Sequence, residues 1–142
     1  MQRQLVITAA VMVACVALGL AGCGGSPSSP SDQPQLIEGT LSLPGYDGNL
    51  VNFTATRAGT LSASVDWVSA EIDVDIYLLN ATCTYGQLLA ESVGCAQADS
   101  VAMDESYAKP AVFSTTVTPG VYTLVLDNWG PTVSVTYRLE IS

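Results

Sequence analysis

The side chains able to do chemistry are few in kind. The chain has 142 residues, no histidine, four cysteines, and 13 acidic residues against four basic ones. Without an imidazole, neither a Ser–His–Asp nor a Cys–His nucleophile can be assembled. Carboxylates remain. Asp66, Glu71, Asp73 and Asp75 lie close together in the sequence. Asp73 and Asp75, two apart on an extended strand, would have Cα atoms about 6.6–7 Å apart, a spacing that does not exclude paired-carboxylate glycoside hydrolysis. Nothing around them marks a substrate cleft, so a carboxylate-based hydrolase is the weakest functional reading and the expectation is no enzyme. Calcium suits these groups better, because a hard cation takes several oxygen ligands. Asp66, Glu71, Asp73 and Asp75 are the candidate calcium ligands; Asp99, Asp104 and Glu105 follow later, and no EF-hand spacing is present. The plainer alternative is that Asp73 and Asp75 project from a polar strand face and accept hydrogen bonds from turn amides or hydroxyls. Trp129, in Asn128-Trp129-Gly130-Pro131, sits at a turn. It either stacks on a sugar ring or protein partner or folds over the end of the core as a plug.

The cysteines divide by position. Cys15 lies in an apolar run, Leu5 to Leu18, that follows the weakly basic Met1-Gln2-Arg3-Gln4. That run is short for a membrane span and fits a secretory signal. It ends in Leu20-Ala21-Gly22-Cys23, which resembles a bacterial lipobox, where the cysteine is acylated and the signal is cut off before it. Residues 1–22 are thus expected to be a lipoprotein signal peptide and Cys23 the lipidation site, carrying palmitate-type chains. At about 0.8 kcal/mol per buried CH₂, such chains anchor stably. Residues 23–35 form a Gly/Ser/Pro tether with almost nothing to bury. Gly24 rather than Asp after Cys23 favours the outer membrane over the inner, facing the periplasm or the cell surface. Cys83 and Cys95 remain as one pair in an oxidising compartment, and a disulfide is expected. Zinc is the rival, but two thiols without histidine would need two carboxylates in support.

Charge narrows the partners. The formal charge is −9, and loss of Arg3 with the signal leaves −10. Nucleic acid and anionic lipid headgroups both require a basic surface and are not expected. Cations, neutral glycans and basic proteins remain compatible, and so does the plain reading that acids keep an exported domain soluble.

Positioning falls to short alternating runs separated by Gly, Pro, Asn and Asp. The organising stretch is Ser64 to Leu79, read as two strands joined by a short turn. Leu61, Ala63, Val65 and Trp67 share one face of the first strand. Ile72, Val74, Ile76 and Leu78 share one face of the second, opposite Asp73, Asp75 and Tyr77. Further strands are expected around Ile37–Leu43, Val51–Thr54, Leu88–Val93, Val112–Val117, Tyr122–Leu126 and Val133–Ile141, with Gln97–Pro110 as a surface loop. No sustained 3.6-residue period interrupts them. The fold class is therefore all-β, an antiparallel β-sandwich or jelly roll of about eight strands, over residues 36–142.

The order Gly59-Thr60-Leu61, Val65-Asp66-Trp67, Ile72-Asp73-Val74-Asp75-Ile76-Tyr77-Leu78-Leu79, Leu88-Leu89-Ala90-Glu91-Ser92, Thr118-Pro119-Gly120-Val121-Tyr122 and a terminal Tyr137-Arg138-Leu139-Glu140-Ile141-Ser142 resembles the bacterial pre-peptidase C-terminal (PPC) domain. The resemblance implies a β-sandwich without catalysis of its own, used in secretion, folding assistance, or substrate or matrix binding. The related collagenase domains bind calcium through an acidic segment before their first strand. Only Asp32 and Glu38 stand there in this sequence, so those ligands do not carry over. The expected lipid anchor would stand where the peptidase does in that family. The leading expectation is a lipid-anchored, non-catalytic cell-envelope binding or structural module, its partners the membrane through the lipid and an envelope protein, matrix protein or glycan. A calcium-dependent adhesion or matrix/glycan-binding domain is the alternative.

Overall fold

The computed structural model describes residues 33–142. The expected signal peptide, the expected lipidation site Cys23 and nearly all of the expected tether lie outside the described residues. Eight strands form two four-stranded antiparallel sheets: β1 (Gln35–Leu43), β2 (Gly48–Ala55), β3 (Gly59–Trp67), β4 (Val74–Leu79), β5 (Ser100–Asp104), β6 (Ala111–Val117), β7 (Gly120–Asn128) and β8 (Val133–Ile141). The first sheet has the order β1-β8-β3-β6 and the second β2-β7-β4-β5. The expected antiparallel sandwich is the fold. β1 starts at Gln35, one residue before the expected boundary, and the Gln35 side-chain amide donates to the Thr54 carbonyl at 2.6 Å.

Alternation dictates which side chains meet between the sheets. Leu61, Val65 and Trp67 of β3 face Val74, Ile76 and Leu78 of β4 across one core, with Leu124, Leu126, Leu139 and Ile141 between them. Most of these are fully buried, each aliphatic side chain worth about 1.5–3 kcal/mol over exposure. The two strands read as joined by a short turn, β3 and β4, are not neighbours in one sheet. They lie in opposite sheets, and residues 68–73 carry the chain across. Trp67 closes that crossing, its indole N–H donating to the Ile72 carbonyl at 2.8 Å.

Two segments differ from expectation. Leu88–Val93 is not a strand, because the helix α1 (Tyr85–Leu89) occupies its start. Thr84 caps it in a box with Gln87, each side chain meeting the other's backbone. The segment 97–110 is not all loop, since β5 pairs there with β4. The strand count holds because β5 replaces the misplaced one.

The second sheet also buries half of its outer face. Tyr77 and Leu79 of β4 and Val125 of β7 pack beneath the loop closed by Cys83–Cys95, with Leu50 and Leu88 against them. The disulfide has an S–S length of 2.05 Å and a Cα separation of 5.8 Å. Buried Thr123 pins the loop: its hydroxyl donates to the Ala81 carbonyl at 2.7 Å and accepts from the Cys83 amide at 3.0 Å. Asn52 adds its amide to the Cys83 carbonyl at 3.1 Å.

Candidate functional site

The other half of that face is bare, and the acidic residues gather there. Asp75 on β4, and Asp73 just before the strand, continue outward the row begun by Tyr77 and Leu79. Asp75 stands directly across from Asp127 of β7. The turn after β7 brings Trp129 beside them. Asn128 is buried and fixes that turn, donating to the Pro44 and Pro131 carbonyls at 2.8 and 3.0 Å and accepting from the Gly130 amide at 3.0 Å. Gly130 presses onto Ile72, where a Cβ would lie 3.1 Å from its side chain. The Trp129 amide donates to the Asp73 carbonyl at 3.0 Å, and its indole N–H to Asp75 Oδ2 at 2.8 Å.

Two clefts open here, one on the bare half and one along its border with the disulfide-closed loop. One, of about 340 Å³, is lined by Glu71, Asp73, Asp75, Glu105, Tyr107 and Trp129. The second, of about 330 Å³, includes Tyr46, Asp47, Tyr77, Tyr85 and Asp127. The Asp75–Asp127 pair joins them. Trp129 is 61% exposed, Tyr107 88% and Tyr46 77%, so Trp129 is not a core plug. Neither cleft is lined by a basic side chain.

Electrostatics follow from that imbalance. Burial pushes the Asp75 carboxyl up to about 6; the Trp129 N–H opposes the shift, while Asp73, Glu105 and Asp127 add to it. Asp75 Oδ1 and Asp73 Oδ1 are buried atoms without a hydrogen-bond partner. Asp73 is raised by burial and by the Asp104 charge, against the Val74 amide. Asp127 is raised by burial and by Asp47, against the Asn128 amide. Burial, Asp127 and Asp75 push the Tyr77 hydroxyl up to about 12.

Of the four candidate calcium ligands, Glu71, Asp73 and Asp75 share one cleft. Asp66 does not join them. It pairs with Lys109 at 2.8 Å beside the first sheet, and that hydrogen bond holds its carboxyl below the ordinary range. Among the described residues, no group of three or more His, Cys, Asp or Glu is disposed to hold a metal ion. Asp99 and Asp104 serve the backbone. Asp99 accepts from the Gly94 amide at 2.8 Å, and Asp104 from the Val112 and Ser106 amides at 2.7 and 2.9 Å. Sequence reasoning did not assign Tyr107, Asp127 or Tyr46 to a site. Glu105 reaches the cleft because β5 joins β4, and no periodicity in residues 97–110 announced that strand.

No family model matches the chain, and no curated protein matches it. Among solved structures, it is similar to the Yersinia pseudotuberculosis-derived mitogen, with 14% identity over 77% of this chain and 87% of that one and a TM-score of 0.53. It is also similar to Aeromonas hydrophila PliG, a periplasmic lysozyme inhibitor of g-type lysozyme, at 12% identity over 82% and 92% with a TM-score of 0.51. The pre-peptidase C-terminal domain of a Bacillus anthracis collagenase overlaps at 19% identity over 78% and 90%, with a TM-score of 0.48. These likenesses are of fold.

Proposed function

We propose that this chain is a lipid-anchored, non-catalytic binding module of the bacterial cell envelope, a PPC-like sandwich that engages its partner through the bare half of its second sheet. The observation that carries the reading is that half-face. Exposed Trp129, Tyr107 and Tyr46 surround carboxylates, and no basic side chain lines the clefts. Leaving aromatics in water at one place is the composition of an interface core rather than of ordinary surface.

The anchor is tested by labelling cells with a fatty-acid analogue. The wild-type chain should take up label and sediment with membranes, and Cys23→Ser should do neither; equal labelling of both contradicts the anchor. The calcium-dependent reading draws on the partnerless oxygens of Asp73 and Asp75. Melting in calcium and in chelator separates the two readings. A ligand of the native state alone raises stability with its concentration over its dissociation constant. The present reading expects the same melting temperature in both.

A further inference from the structure

We infer that the bare half of the second sheet's outer face is a docking surface for a lysine- or arginine-bearing segment of a protein partner. The inference rests on the binding-module reading and adds the chemistry of the occupant. The exposed aromatics mark the face, and charge selects what covers it. Each of the three basic side chains among the described residues is engaged elsewhere. Arg57 donates to the Gln33 and Ile141 carbonyls, Lys109 pairs with Asp66, and Arg138 lies between Glu38 and Glu140. The carboxylates of this face therefore have no cation of the chain's own among the described residues. Asp75 and Asp127 stand directly opposite each other in the ladder, an arrangement of like charges that costs stability. An incoming ammonium or guanidinium relieves that repulsion and forms charge-assisted hydrogen bonds with the carboxylates. The exposed faces of Trp129 and Tyr107, in the same cleft, take the same cation by cation–π contact. A neutral glycan would use the aromatics and leave the repulsion in place. The two clefts meet along β4, so an extended segment can set one basic residue by Trp129 and another by Tyr46.

The test titrates the full chain, in detergent, with a short peptide alternating Arg and Gly. Controls are the same peptide with citrulline for Arg, a neutral cello-oligosaccharide, and calcium chloride. Trp129 fluorescence and backbone amide shifts report the site. The Arg peptide should move the amides of residues 73–77 and 127–129, and binding should weaken at least ten-fold in 0.5 M salt, because exposed charge pairs are screened. Asp73→Asn with Asp75→Asn, and separately Trp129→Ala, should each weaken binding at least ten-fold while the protein still melts cooperatively. Glu38→Gln with Glu140→Gln, on the first sheet, should leave it unchanged. Binding should also fall as pH drops through about 6, as Asp75 takes a proton. Equal weakening by the first-sheet pair means diffuse attraction to an acidic protein and overturns the inference. Cello-oligosaccharide binding at these residues without Arg-peptide binding overturns it and leaves the binding-module reading intact. Calcium moving the same amides while the Arg peptide does not overturns it in favour of a metal site. No response to any probe overturns both.

Discussion

Trp67 is 4% exposed and joins the core to the chain crossing through its bond to the Ile72 carbonyl. Trp67→Ala should therefore cost about 3–5 kcal/mol, read as a lowered midpoint in urea. Trp129, the other tryptophan, is mostly in water, and truncating it should cost little stability. Asp75 gives the sharper prediction. Its folded pKa of about 6 lies above the ordinary carboxyl value of 3.8. The native state therefore holds the proton more tightly than the unfolded chain. Its contribution is fully present below 3.8 and is lost as pH rises to about 6. Asp75→Asn removes that loss while keeping an acceptor for the Trp129 N–H. The variant should match wild type at pH 3.5 and be more stable at pH 7, with the gap opening between. A variant less stable than wild type at pH 7 would mean that the ionised carboxylate has a partner. The outward direction of Asp73 and Asp75 was legible from strict alternation. Their burial was not, nor was the bond from Trp129, a residue 54 positions from Asp75.

At the scale of elements, the loop closed by Cys83–Cys95 decides how much of the second sheet stays open. Both cysteines should resist alkylation until reduced. Reduction should cost about 3 kcal/mol from loop entropy. Thr123→Val should cost about 1–3 kcal/mol, because it leaves the part-buried Ala81 carbonyl and the buried Cys83 amide short of a partner. Urea melts with and without reductant measure both. A silent Thr123→Val would mean that the disulfide, Asn52 and the apolar contacts hold the loop without the Thr123 hydroxyl. The pairing of the cysteines was legible, because the other two, Cys15 and Cys23, fall in the expected signal and lipobox. The element between them was misread. Leu88-Leu89-Ala90 is too short an apolar run to separate strand from helix, while the Thr84–Gln87 box was a helix-start signal in plain view. β5 escaped notice because its outward Val101 and Met103 and inward Ala102 give almost no contrast. Period-two patterning also gave β3 and β4 their buried faces without giving them partners. A face is local, whereas the crossing between sheets is decided by what the whole core must cover.

Taken whole, the sandwich has two unlike outer surfaces. The first sheet shows Ser and Thr rows, Thr40 beside Thr136 and Ser62 beside Ser114, with Arg138 and Lys109 engaged with acids there. The second is divided between a disulfide-braced lid and an open field of acids and aromatics. That polarity suits a domain that leans on a surface by one side only, and the proposed tether would let it do so. The composition foretold an acidic protein but not an acidic side, since Asp127, Glu105 and Asp75 come together only through sheet register. The direct test places a photo-crosslinking amino acid in the full chain in living cells, at position 107 in one strain and at position 62 in another. Position 107 should give a discrete adduct with an envelope component that disappears with Asp73→Asn and Asp75→Asn. Position 62 should give none. Equal adducts from both positions, or adducts from position 62 alone, would contradict the assignment of the second sheet's open face as the partner-facing surface.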